Sequence, residues 1–210
     1  MSFRNQFRGG LPGFVAVNSV RLTFAVVWLV MAVGTGGLAA KLLPAAAASQ
    51  LQADLQHFAV AVGAGHAALP GSVLFHQQVA QYLSTAAWVW VLGLSVVGAP
   101  LAAGILFVRG FGLGFTVAFL IRALGGRGLA LAAAATAVPS LLLLPALLLL
   151  VTAALSFSAA ALHHHGERRF DGEDVVAYSF VGLLGAAGLV GAAWLAATVA
   201  PLLMRVATHG

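Results

Sequence analysis

Cysteine is absent from this chain, which excludes disulfides and thiol chemistry. Charge is nearly absent as well: 7% of residues, against the roughly 25% of an ordinary soluble domain. Five of the 210 residues are acidic, and four of them, Glu167, Asp171, Glu173 and Asp174, crowd into one short stretch. Acid–base catalysis needs convergent ionisable groups, and the apolar blocks hold serines and threonines with no carboxylate or histidine to activate them. No catalytic residue, metal or cofactor is assigned on this basis, and an enzyme is not expected.

What the chain has in quantity is hydrocarbon. It is 61% hydrophobic with a mean hydropathy of +1.03, too apolar to cover a globular surface with polar groups. The reading is an all-α polytopic membrane protein, residues 1–210 forming a single integral membrane domain. Five apolar blocks should form about five to six membrane helices, some broken at Pro or Gly, each needing roughly 20 residues to span. The sequence pI of about 11.2 does not imply nucleic-acid binding. The ten Lys and Arg stand singly or in pairs at the ends of apolar runs, as topology signals do.

Arg4, Arg8 and Arg21 precede the first block, Leu22–Ala40, and Lys41 follows it, so the N-terminus is expected in the cytoplasm. That block is long and lacks a convincing cleavage site, so it is expected to stay as an anchor. Residues 42–81 differ in character, with Asp54, His57, His66, His76 and six glutamines. Ser49-Gln50-Leu51-Gln52 matches a capping box. Leu51, Leu55, Phe58 and Val62 then recur at helical spacing, and Phe75 opens a second apolar stripe. This segment is read as two short amphipathic helices outside the cytoplasm. Those five residues are candidates for docking a partner, against the alternative of a solvated loop packed on the bundle.

From Tyr82 to Ile121 the one charge is Arg109. A charge inside hydrocarbon costs roughly 3 kcal/mol on insertion scales. Gly98-Ala99-Pro100 can divide this stretch into two spans. Alternatively the chain crosses once, from 82 to 108, and 110–121 makes a re-entrant excursion. The positive-inside rule favours the excursion, because it keeps Arg122 and Arg127 in the cytoplasm. Residues 128–162 are uncharged for 35 positions, too long for one straight span of about 30 Å, so Pro139 and Pro145 are expected to break or kink them. A polar loop, 163–174, leads to the last span. There Gly182, Gly185, Gly188 and Gly191 recur every third position, a spacing suited to close helix packing.

Residues 88–121, WVWVLGLSVVGAPLAAGILFVRGFGLGFTVAFLI, resemble the core of the stage II sporulation protein M family. The matching positions are Val91-Leu92-Gly93, Ser95, Gly98, Pro100, Arg109-Gly110 and Gly114-Phe115. The two-proline stretch 138–150 and the Ser-Phe-Ser ending in 154–162 fit as well. The chain departs from the family pattern in three places. QVAQYL, residues 78–83, stands where many relatives carry a His-Asn pair. Ser140-Leu141 follows Pro139 where a His or Gln and an Asn are common, and AAWLAATVAP lacks the acidic residue often found in the last span. The resemblance implies a cell-membrane protein of endospore-forming bacteria, at the mother-cell septal or engulfing membrane. It implies a scaffold for peptidoglycan remodelling during engulfment, with two wall hydrolases, stage II sporulation proteins D and P, as partners. Self-association is left open.

His163-His164-His165 is the one metal-like cluster, but adjacent histidines diverge on a helix, and a polar helix end is the expected role. Arg109 is read as an interface anchor at a helix end, or as a partner for carbonyls freed near Pro139 or Pro145; lining a hydrophilic pathway is the third option. Gly110 and Gly114, in GxxxG register, and Gly112 are read as packing positions, architectural like Gly93, Gly98, Pro100, Pro139 and Pro145. The leading function is a non-catalytic membrane scaffold. The alternative is a transporter- or channel-like component built on the broken helices and Arg109, and a weaker third is lipid binding through cytoplasmic arginines.

Overall fold

Proline and glycine divide the apolar sequence into helices. The computed structural model describes the backbone of residues 10–63, 71–95, 98–132, 136, 138–163 and 172–209. It describes the side chains of 10–54, 75–95, 98–126, 128–129, 132, 136, 139–160 and 172–198. Among these residues there are seven helices and no strand. They are α1 (Gly10–Val17), α2 (Ser19–Lys41), α3 (Ala45–Gly63), α4 (Gly71–Gly93), α5 (Gly98–Ala132), α6 (Val138–His163) and α7 (Gly172–His209).

Four of them contain stretches long and apolar enough to cross a membrane: Ser19–Lys41, Gly98–Gly126, Pro139–Ala160 and Gly172–Thr198. The protein is therefore a multi-pass, all-helical membrane protein. The expected count of five to six spans is not reached by this measure. The helix that falls short is α4, whose first half carries His76, Gln77, Gln78 and Gln81. It nevertheless packs in the bundle: Tyr82, Ala86 and Val89 are buried in one cluster with residues of α2, α5, α6 and α7. The central helix is α6, with 56% of its span buried against 22–33% for the other three. The outer faces stay apolar, with Val20, Phe24, Val30, Leu183 and Trp194 exposed, as lipid solvation requires.

Helix directions follow from the cross-links. Near the middle of α2, Trp28 Nε1 donates to Ala103 O at 3.0 Å, and at its end Arg122 donates to Ala40 O and Lys41 O, both at 3.0 Å. Hence α2 and α5 run parallel, while α4 and α6 run against them and α7 runs with them. One end of the bundle holds Asn18, Arg21, Ser95 and Ser158; the other holds Lys41, Arg122 and the start of α3.

This arrangement overturns the re-entrant alternative. The α5 helix passes through Arg109, Gly110, Gly112 and Gly114 without a break. Its non-helical residue is Gly125, at φ 60° and ψ −132°, a left-handed conformation suited to glycine. Beyond it the chain folds back until Gly128 lies against the Leu120 carbonyl. The positive-inside rule favours the excursion, but packing of α5 along α2 from Trp28 to Lys41 outweighs a bias carried by single arginines. The Gly98-Ala99-Pro100 boundary does form. Gly98 N donates to Ser95 O at 3.1 Å, and Pro100 sits in the first turn of α5, where its missing N–H costs nothing. Pro139 likewise stands at the start of α6, whereas α6 runs on through Pro145. Ser49 is not an N-cap: α3 starts at Ala45, just after Pro44, and Ser49 Oγ donates back to Ala46 O at 2.9 Å.

The tightest contact is between α2 and α5. Gly110 lies on Leu29 and Ala32, Gly114 on the Val33 backbone, and Gly36 on the backbone of Phe111 and Phe115. The last helix uses its glycines the same way, Gly182 against Trp90, Gly185 against Leu150 and Gly188 against Ala146. Gly112 differs, with open space where a Cβ would stand. Gly114→Ala should therefore destabilise the purified protein by about 1–3 kcal/mol through forced separation of the helices. Gly112→Ala should be neutral or stabilising by up to about 1 kcal/mol. Equal unfolding midpoints for the two variants in detergent would contradict this packing. The shared end of α2 and α5 also predicts sidedness. Single cysteines replacing Lys41 and Arg122 should react with an impermeant maleimide from the same side of the membrane, and one replacing Arg21 from the opposite side.

Candidate functional site

Because α4 and α5 run antiparallel, Thr85 and Tyr82 of one face Arg109 of the other. Arg109 Nη2 donates to Thr85 Oγ1 at 2.6 Å. The Thr85 hydroxyl in turn donates to Gln81 O at 2.9 Å, so it accepts from the cation and passes its own proton back along α4. The Arg109 guanidinium carbon stands 5.7 Å from the centroid of the Tyr82 ring, within cation–π range. Arg109 lies within one turn of the midpoint of the apolar stretch Gly98–Gly126, so it stands midway along the helix and not at its end. The expected boundary role is thus corrected: a polar neighbour on a second helix receives the charge that a single-span reading had to place at an interface.

An open cavity of about 530 Å³ adjoins the guanidinium, and its wall mixes polar residues (Gln78, Gln81, Thr116, Thr136 and Ser140) with apolar ones such as Leu113 and Leu143. Gly112 also lines it and leaves room beside the helix. Toward the other end of the bundle lies a second space of about 430 Å³, lined by Leu92, Leu101, Gly104 and Ile105. The two share Val108 and Arg109. A cation thus stands at the junction of a chamber of mixed lining and a groove that is almost wholly apolar. Among the described residues, no carboxylate lines either space.

The other candidate residues singled out by the sequence are dispersed, as architectural positions are. Gly93 lies where the Tyr178 hydroxyl crosses α4, a crossing held by that hydroxyl donating to Trp90 O at 3.0 Å and by the Tyr178 ring stacked on Phe157 at 4.6 Å. Gly98 and Pro100 close the α4–α5 turn, and Pro145 is exposed on α6. Of the docking candidates, Leu51 is half-buried on α3, and Phe75 packs against the bundle core. The side chains of Leu55, Phe58 and Val62 lie outside the described residues, as do those of His163, His164 and His165.

Sequence reasoning missed two groups. Gln78, Gln81 and Thr85 stand at i, i+3 and i+7 on α4, a polar stripe readable in retrospect where an apolar block begins. Asn18 was the other. It is buried between α1 and α2, accepts from Arg21 at 2.7 Å, donates to Phe14 O at 3.1 Å and takes Ser156 Oγ at 2.5 Å. It ties the start of α2 to the end of α6.

The family model described as stage II sporulation protein M matches residues 24–201, the stretch that contains the α2–α5 crossing, the cavity and most of α7. The chain belongs to the stage II sporulation protein M family. No curated protein and no solved structure matches it. Three separated stretches of the chain, 78–83, 139–141 and 192–201, meet at one place: Gln78, Gln81 and Tyr82 come from the first, Ser140 from the second and Ala196 from the third, and all line the cavity beside Arg109. Thr85→Val should remove a charge-assisted hydrogen bond from Arg109 and lower unfolding stability by about 1.5–3 kcal/mol. Ser84→Ala, at an exposed neighbour, should leave the midpoint in place.

Proposed function

We propose that this sporulation-family membrane protein is a non-catalytic scaffold that holds peptidoglycan hydrolases, stage II sporulation proteins D and P, at the membrane engulfing the forespore. Membership of the family over residues 24–201 is the observation that carries the reading. In this reading the N-terminus is cytoplasmic and α3 stands outside, near the mother-cell septal membrane. The helix begins four residues after α2 ends, so it is held close to the bundle, and Asp54 is exposed on it. A hydrolase would meet the α3 face that begins at Leu51. The protein would contribute position and not chemistry.

The cavity at Arg109 favours a second reading, a transporter-like component, because a charge beside an open space midway along a membrane helix is one of the parts from which such sites are built. The break that such sites also use is missing at Pro145, since α6 runs on through it. Among the described residues the polar lining stops at Arg109, and the space beyond is apolar. That supports a binding chamber over a conducting path.

Tagged protein should co-purify with both hydrolases from sporulating cells, and Leu51→Glu should reduce recovery several-fold while the bundle still unfolds at its normal midpoint. Cells lacking the protein should lose septal enrichment of fluorescent hydrolase fusions. Normal hydrolase localisation in those cells would sink the scaffold reading.

A further inference from the structure

We propose that the chamber and groove meeting at Arg109 form a binding site for an anionic phospholipid, its phosphate on the guanidinium and an acyl chain in the groove. Such a site is independent of the scaffold reading. Its origin is an uncompensated charge. Arg109 uses one of its five N–H donors on Thr85, and its other described contact is the Tyr82 ring. Both partners are neutral. Midway along α5, with no acidic residue in any apolar block, the cation has no counter-charge among the described residues. A charge in such surroundings is stabilised by an opposite charge with matching hydrogen bonds, and a guanidinium fits phosphate oxygens in a two-pronged geometry.

The chamber has polar residues beside the cation. Gln78, Gln81 and Thr116 stand in its wall, with Thr136 and Ser140, whose hydroxyls donate to Ala132 O and Thr136 O. Its volume of about 530 Å³ falls within the usual range of small-molecule sites. A free anion would use that chamber alone. The adjoining groove gives the ligand a second, apolar part, because the groove begins at the same Arg109 and is walled by Leu92, Leu101, Ile105 and Val108. Two glycines keep the spaces open. Gly104 in the groove and Gly112 in the chamber each have nothing within 4 Å of a built Cβ, so neither is a packing glycine like Gly110 or Gly114. With Val108 they stand at i, i+4 and i+8 on α5, a single stripe along which a chain-plus-headgroup ligand can lie.

The glycines also make the test clean, since a Cβ at either position meets nothing within 4 Å and a larger side chain there grows from open space. Full-length protein is exchanged in detergent against equal phosphatidylglycerol and phosphatidylcholine, and retained lipid is read by native mass spectrometry. The wild type should retain phosphatidylglycerol in about tenfold preference, the factor that corresponds to one charge-assisted hydrogen bond. Arg109→Gln, Gly112→Leu and Gly104→Leu should each abolish the preference, the two glycine variants with unfolding midpoints at or above wild type. Sodium phosphate in excess should not displace the lipid. An undiminished preference in Arg109→Gln or in Gly112→Leu overturns the proposal. So does a Gly104→Leu protein that keeps the lipid while free phosphate competes it away, which would make the ligand a simple anion.

Discussion

The contact between α2 and α5 is the constraint on which the bundle depends. Lipid tails are as apolar as leucine side chains, so burial alone does not draw helices together in a membrane. Close backbone approach must supply dispersion contacts instead. Gly36 on one helix and Gly110 and Gly114 on the other bring the two backbones together, and the parallel pairing then runs from Trp28 on Ala103 to Arg122 on the end of α2. This contact holds α5 as a full-length helix. It thereby fixes where Arg109 stands, which helix faces it, and which ends of the chain share a side.

Arg109 is the consequence. A cation midway along a membrane helix is costly in lipid, and the fold meets that cost with a helix that is itself too polar to count as a span. The glutamines of α4 lower its hydropathy, and the same helix presents Tyr82 and Thr85 to the guanidinium. The weakest membrane helix and the strongest membrane charge therefore belong to one arrangement. Neither is explained by its own segment.

Glycine register was legible in the linear sequence because it depends on local spacing. Gly110 with Gly114, and the three-residue repeat from Gly182, both fall on helix contacts. Gly98-Ala99-Pro100 was legible for the same reason. The fate of Arg109 was not. Its partners lie 24 to 27 residues away, on a helix whose direction no periodicity reveals. Gly112 was misassigned as a packing position because glycines two apart on a helix point to different faces, and which face meets α2 depends on the crossing. The Ser49 motif misled because Pro44, five residues earlier, is the stronger start signal.

By itself the sequence determined that the chain is helical, membrane-embedded and poor in acid–base groups, since composition and run length decide solvation without reference to neighbours. The motif spacing also marked the family. Only the tertiary structure decided that 110–121 crosses instead of dipping, that α4 joins the core despite its glutamines, and that three separated stretches line one chamber around a cation. Those outcomes are set by pairwise packing between helices far apart in the chain, and hydropathy, summed one segment at a time, carries no term for it.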